Sequence, residues 1–475
     1  MKIIILGAGQ VGASVAESLV SEANDITIVD QDGERLAHLQ ERLDLRVITG
    51  NAASPSVLER AGAADADLLI AVTQSDQTNL CACRVAKTLF NVPTRIARLR
   101  AADYEDHPQL LDDTNFAVDH SICPEQIVTD YIRKLIEFPE ALQVLEFADG
   151  MVTMIAIRAF EGGLLVGKPL KTIPERLPNI DTRVAAIFRQ DQAISPTGDT
   201  VIESGDEVFL IAASTHIRRV MTELRRMDKP IRRIIIAGGG NIGLRLAKAI
   251  ENTVTVKLIE RDRRRAEHLA AELERTVVLR GDSTDEALLD AESIEETDMF
   301  LALTNDEEDN IMSASLAKQM GARRTLALIN RKSYVDLVQG GRIDIAISPA
   351  HTSIGQLLAR VRRGDVAAVH SLRRGAAEAL ELVAHGDARH CKVIGRRLEE
   401  LDLPEGATIA ALVRQTGMSR TEYRDLVPYE VPIVEVIMAH HDTVIRPDDH
   451  VIVFCTSKKL VARVEKLFQV GWGFF

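Results

Sequence analysis

A chain of 475 residues has room for about three to four domains, and its 46% hydrophobic and 27% charged content is that of a globular protein. A net charge of −13 argues against nucleic acid, whose phosphates call for a basic face, and against direct binding to anionic lipid. No apolar run approaches the ~20 residues of a spanning helix, and Met1-Lys2 leads straight into a core strand with no charged leader or cleavage site, so a cytoplasmic chain that reaches a membrane only through a partner is expected.

The first stretch is the most informative. Lys2-Ile3-Ile4-Ile5-Leu6 is an apolar run of the kind that forms a strand buried on both faces. It enters Gly7-Ala8-Gly9-Gln10-Val11-Gly12, a Gly-x-Gly-x-x-Gly loop, and a helical pattern follows through Val15, Ala16 and Leu19. Gly7 allows the tight turn, Gly9 lets a pyrophosphate approach the backbone, and Gly12 lets the helix pack on the strand. The helix N-terminus supplies free N–H groups and a positive dipole end for phosphates. A second run, Ile26-Thr27-Ile28-Val29, closes on Asp30, a strand-end carboxylate suited to a ribose diol. Strands are expected near 2–6, 25–29, 45–49, 67–72, 94–99 and 115–118, with helices near 11–21, 33–42, 54–61, 77–90 and 124–137. Such alternation gives a doubly wound parallel sheet with helices on both faces. The last helix carries a broad apolar stripe, Ile127, Val128, Tyr131, Ile132, Leu135 and Ile136, which can pack on its own sheet or on another subunit.

Pro139 marks a break, and residues 141 to about 225 read as a small α+β module with strands at Val152–Ile157, Val184–Phe188 and Glu207–Ala212. Then the pattern starts again. Ile234-Ile235-Ile236-Ala237 runs into Gly238-Gly239-Gly240-Asn241-Ile242-Gly243, and Val256-Lys257-Leu258-Ile259 closes on Glu260. Val47–Asn51 aligns with Val278–Asp282, Leu69–Thr73 with Phe300–Thr304, Asn79 with Asn310, and Tyr104 with Tyr334. Residues 370–475 repeat the small module: Gly395-Arg396-Arg397-Leu398 stands where Gly167-Lys168-Pro169-Leu170 stood, and Val444–Val451 where Val201–Val208 stood. A duplicated series of this length means two copies of one unit. The expected fold is α/β: two Rossmann-like domains, 1–140 and 229–368, each followed by a small α+β module, 141–228 and 369–475. An added, charge-rich segment near 417–432 with two prolines reads as a surface loop.

Little else suggests catalysis. The five cysteines are odd in number and irregularly spaced, which suits reduced thiols; Cys81 and Cys83 read as small buried residues rather than a metal pair, and no four-ligand zinc set is evident. His38, His107 and His120 are scattered, a Walker-type loop is absent, and the small modules offer no triad or nucleophile motif. No metal and no catalytic residue is expected. The open alternatives are a ligand-binding regulatory subunit, an NAD-dependent oxidoreductase and a structural protein with vestigial sites.

The doubled order of Rossmann domain and β-rich module resembles the tandem RCK (KTN) family, the cytoplasmic regulatory subunits of Trk-type bacterial potassium uptake systems, over essentially the whole chain. The resemblance implies a non-catalytic regulator that assembles as a ring beneath a potassium-conducting integral membrane subunit, peripheral to the cell membrane; the duplication and the apolar helices at 124–137 and 353–361 add the expectation of a homo-oligomer, a homotetramer whose eight N domains close that ring. The resemblance also implies NAD(H), and ATP or ADP at the same sites. Carried over by position, the first site is Gly7 to Val11, Asp30, Asn51, Ala52, Thr73, Gln74 and Arg98, and the second is Gly238 to Ile242, Glu260, Asp282, Ser283, Thr304 and Asn305. Gly12 and Gly243 complete the two loops. Arg98 has no basic counterpart, Leu328 standing at its place. A dinucleotide would span the loop and strand ends where a mononucleotide fills only the adenosine half, so the two ligands would favour different angles between domains.

Overall fold

The computed structural model describes residues 1–470 apart from 21–23, 102–103, 105, 191, 195, 225–229, 332–333, 335–342, 362–365, 373–376 and 425–426. The chain divides into two compact units, Met1–Arg133 with Ile231–Leu357 and Lys134–Pro230 with Leu358–Phe475. Like segregates with like: the first unit holds both Rossmann domains and the second holds both small modules.

In the first unit, the strands Arg46–Thr49, Asp25–Asp30, Lys2–Leu6, Leu68–Ala71, Thr94–Arg98 and His120–Ile122 lie side by side in that order, all parallel. Val277–Arg280, Thr255–Glu260, Arg233–Ala237, Met299–Ala302, Arg324–Leu328 and Ile345–Ile347 repeat it. In this doubly wound order the chain reverses direction beside the first strand, which opens a crevice at the strands' carboxyl ends. The central strands are continuous apolar runs because helices cover both faces; Ile3, Ile4, Ile5 and Leu6 are all buried.

The sixth strand is not where the apolar run Phe116-Ala117-Val118 placed it. The N–H groups of Phe116, Ala117 and Val118 donate to Leu110 O, Asp112 O and Leu111 O, so they are spent in a turn. Val118 and Phe116 fill the core beneath the sheet, and the ladder starts at His120. The apolar stripe of Pro124–Glu137 is also explained: Val128, Ile132 and Leu135 are buried within the chain, as are Ile354, Leu357 and Val361 in Pro349–Val361. Ile127, Tyr131 and Ile136 of the first stripe stay half-buried. Cys83 is buried, and burial pushes its thiol up to about 12, whereas Cys81 is exposed rather than buried as expected. Neighbours two apart on a helix point to different faces.

The second unit holds two five-stranded sheets. One runs Gln192–Ile194, Thr182–Arg189, Glu207–Ala213, Val152–Arg158, Ala141–Phe147; the other runs Val366–Leu372, Ala377–Val383, His450–Cys455, Ala407–Arg424, Val427–Met438. Bridges Pro169–Val201 and Arg397–Val444 stand at equivalent places, as the aligned turns require. The sheets share one core in which Phe188, Phe209 and Phe454 meet edge-on or tilted, with centroids 5.4–6.4 Å apart. The described residues of 417–432 are strand: Ala407–Arg424 and Val427–Met438 are antiparallel partners, paired from Ala411–Met438 out to Arg424–Val427. Pro428 and Pro432 are compatible with this pairing because their strand is the sheet edge, where a missing N–H breaks no ladder beyond it.

The two modules are joined through Glu381. Its Oε2 accepts from Ala148 N at 2.8 Å, and its Oε1 lies 2.5 Å from His450 Nδ1. The hydrogen bond to Glu381 raises the His450 pKa against the opposing effect of burial, with Asp149 and Asp448 adding to the rise. A raised folded-state value means that this stabilisation is complete below the unfolded value of about 6.5 and fades as pH climbs through the folded one. The melting-temperature gap between the native chain and His450→Gln is therefore expected to be wider at pH 6 than at pH 8.5. A gap that does not change with pH would exclude the assignment.

Candidate functional site

Both glycine loops are built by the same local geometry. Gly7 and Gly238 adopt φ of +107° and +105°, which only glycine tolerates readily. A Cβ on Gly12 would collide with the Gly7 carbonyl oxygen, and one on Gly243 with that of Gly238. These four glycines hold the turn and the helix against it. Gly9 and Gly240 differ: a Cβ there would meet nothing within 4 Å. The space over them is open, and both line a cavity of about 1210 Å³ within the first unit. That is the fit a pyrophosphate needs, close approach to main-chain N–H groups at a helix start.

The strand-end acids hold the loops. Asp30 Oδ2 accepts from Ala8 N at 2.6 Å and its Oδ1 from Asp32 N at 2.9 Å. Glu260 repeats the pattern with Gly239 N at 2.9 Å and Asp262 N at 2.8 Å. At the ends of the fourth and fifth strands one asparagine per copy ties the turn. Asn79 accepts from Thr73 N and donates to Arg98 O, and Asn310 accepts from Thr304 N and donates to Leu328 O.

The copies diverge in what reaches the cavity. From the first site, Gly7 to Val11, Asp30, Ala52, Thr73, Gln74 and Arg98 line it, while Gly12 and Asn51 do not. From the second, Gly240, Asn241, Ile242, Thr304 and Asn305 line it, while Gly238, Gly239, Gly243, Glu260, Asp282 and Ser283 do not. The two expected sites thus open on one cavity, nearly complete on one side and half represented on the other. Arg265, also on the wall, donates from Nε to Gly239 O at 2.8 Å, and a Cβ on Gly239 would strike Leu269. The second loop is packed by the helix Arg263–Glu272, which follows the second strand.

The first side carries two arginines whose positions are uncharged in the second. Arg98 Nη2 donates to Glu125 Oε1 at 2.8 Å, and Arg100 Nε lies 3.3 Å from the same oxygen. Arg98 Nε is buried with no hydrogen-bond partner among the described residues. Their counterparts are Leu328, Asn330 and Ala350. Sequence reasoning found Arg98 and missed Arg100 and Glu125, although the alternation Arg98-Leu99-Arg100, with Leu99 buried, was a signal that both arginines leave the sheet on one side. His38 lines the cavity's edge but its side chain is largely exposed beside Glu41. Among the described residues no group of three or more His, Cys, Asp or Glu could hold a metal, and no helix is long and apolar enough to cross a membrane.

Residues 3–124 and 234–349 match the model of the TrkA-N domain, and residues 154–225 that of the TrkA-C domain. The chain is 54% identical to the Trk system potassium uptake protein TrkA of Vibrio alginolyticus over 470 residues, 99% of each chain, and 53% identical to that of Halomonas elongata over 475 residues, all of each. Among solved structures it resembles the GsuK RCK domain with a TM-score of 0.61 at 17% identity, covering 98% of this chain and 94% of that one. It also resembles the GsuK channel bound to NAD, with a TM-score of 0.60 at 16% identity, covering 98% and 78%.

Proposed function

The chain belongs to the TrkA family of Trk system potassium uptake proteins, and from that premise we propose that it is a cytoplasmic, non-enzymatic regulatory subunit that binds NAD(H), and ATP or ADP, in its first Rossmann domain and so sets the activity of a potassium-conducting membrane partner. The observation that carries this reading is the single cavity bordered by both glycine loops, with Asp30 on one wall and Arg98 and Arg100 on another. The loop N–H groups and the arginines suit phosphates, and Asp30 suits the ribose hydroxyls. A ligand moves a domain equilibrium only by binding one arrangement better, and a cavity bordered by two domains makes that possible. We also propose a homotetramer, peripheral to the membrane through its partner; the internal duplication supports it, since four chains supply eight N domains to a ring.

Two measurements test the proposal. In cells lacking their own copy, the chain should restore potassium uptake and should co-purify with a potassium-transporting membrane protein; recovery of neither would overturn it. A light-scattering mass of one chain at micromolar concentration would overturn the tetramer alone. NADP(H) should bind about tenfold or more weakly than NAD(H), because a 2′-phosphate would face Asp30. Equal affinities in a titration would show that Asp30 does not meet the ribose.

A further inference from the structure

Arg245 lies in the helix Asn241–Ile250, which begins at the second glycine loop. Its guanidinium leaves its own domain. Nη1 donates to Gln126 Oε1 at 2.9 Å, and Nη2 donates to Arg100 O at 2.7 Å. Gln126 is oriented for this, because its Nε2 donates to Asp130 Oδ2 at 3.2 Å. The main chain at Arg100 is held from the other side by Asp76, whose Oδ2 accepts from Arg100 N at 2.9 Å and Ala101 N at 3.0 Å. Arg100 is therefore gripped twice, by a carboxylate of its own domain and by a guanidinium of the other.

The same helix has its first residues, Asn241 and Ile242, on the cavity wall. One rigid element thus touches the ligand space at its N-terminus and the cationic wall of the first site a turn later. Among the described residues the link has no reciprocal: the position matching Arg245 in the first domain is Ser14, too short for such a reach, and the position matching Arg100 is Asn330.

We propose that Arg245 is a positioning residue for the first site. It fixes Arg100 through its carbonyl, so the first site's affinity for phosphate-bearing adenine ligands depends on where the second Rossmann domain stands. This rests on the nucleotide-binding reading above. The fork geometry matters, since one planar guanidinium serves an amide oxygen and a carbonyl at once, which a lysine ammonium does not reproduce.

The test is calorimetric binding of ATP to the full-length chain, with adenosine measured in competition. Arg245→Ala should weaken ATP about fivefold to tenfold and leave adenosine within about twofold, since adenosine carries no phosphate for the arginine wall. Arg245→Lys should recover part of the loss. Gln126→Ala, which removes one of the two anchors, should weaken ATP about twofold to threefold, and it decides the matter if Arg245→Ala does not fold. Native ATP affinity in folded Arg245→Ala, or an equal loss of ATP and adenosine, would overturn the proposal. Failure of the native chain to bind ATP or NADH would instead overturn the nucleotide reading beneath it.

Discussion

Asp449→Ala should destabilise the second unit by about 3–5 kcal/mol. The carboxylate is 0% exposed. Its Oδ1 accepts from Arg414 Nε at 2.8 Å, and its Oδ2 accepts from Arg414 Nη2 at 2.7 Å and from Arg446 N at 2.8 Å. This is a two-pronged pair with the remaining lone pairs satisfied by backbone. Removing it takes the carboxylate from a guanidinium whose side chain is only 15% exposed, leaving Nη2 its bond to Val444 O, and orphans the Arg446 N–H. The first small module repeats the device: Asp206, 1% exposed, accepts from Arg189 Nε at 2.9 Å, Arg189 Nη2 at 2.8 Å and Glu203 N at 2.8 Å. Arg189 is 31% exposed and keeps Glu203 as a second partner, so Asp206→Ala should cost less, about 2–3 kcal/mol. The Asp206 carboxyl sits below its ordinary value: burial alone would raise it, but the hydrogen bonds from Arg189 and Glu203 N outweigh that. Its contribution is present above the unfolded value of about 3.9 and is lost as pH falls through the lower folded one. Urea titrations at pH 7 check both values. A loss under about 1 kcal/mol for Asp449→Ala would mean that the pair is not closed in solution.

Such paired devices explain why so much was legible. Where a requirement is local, the residues announce it. Gly7 and Gly238 need positive φ, Gly12 and Gly243 need a missing Cβ, and Asp30 and Glu260 end apolar runs of fixed length; all can be read from a few neighbouring letters. The match of Val444–Val451 to Val201–Val208 could be seen, and with it the second small module. What could not be seen depends on segments far apart. Glu125 meets Arg98 across 27 residues and Arg245 meets Arg100 across 145, distances over which no periodicity carries information. The asymmetry of the two sites was half visible: Leu328 in place of Arg98 was a sequence fact, but the packing of Arg265 and Leu269 against the second loop is a matter of how one helix lies. The apolar stripes of Pro124–Glu137 and Pro349–Val361 could not say what they face, because pattern gives a buried side and not its cover. The strand pairing near 417–432 was hidden by two prolines, whose meaning reverses once their strand is known to be an edge.

Asp30→Ala should weaken NADH at the first site by roughly 10- to 100-fold. A carboxylate facing a ribose makes up to two charge-assisted hydrogen bonds, worth about 1.5–3 kcal/mol each before competition from water at an open cavity. The structure adds a second loss. Asp30 already accepts from Ala8 N at 2.6 Å and Asp32 N at 2.9 Å, so its removal also frees the glycine loop that must meet the pyrophosphate. Preorganisation and direct contact fall together, which places the effect toward the upper part of that range. The fold should survive, because the side chain is half-buried at a strand end and the strand keeps its ladder to Lys2–Leu6. Glu260 cannot take over fully: it serves a loop closed by Arg265 and does not itself reach the cavity. The binding that remains should therefore be weak, not half of normal. Asp30→Asn separates the two losses, since one amide oxygen can still accept from Ala8 while the negative charge toward the ribose is gone; its affinity should lie between the native chain and Asp30→Ala. In cells, potassium uptake should lose its dependence on nucleotide while the chain still co-purifies with its membrane partner, whereas an oxidoreductase would show a catalytic defect and no potassium phenotype. Native NADH affinity in a correctly folded Asp30→Ala chain would show that the carboxylate holds the loop and nothing more, and the ribose would have to be sought elsewhere on the cavity wall.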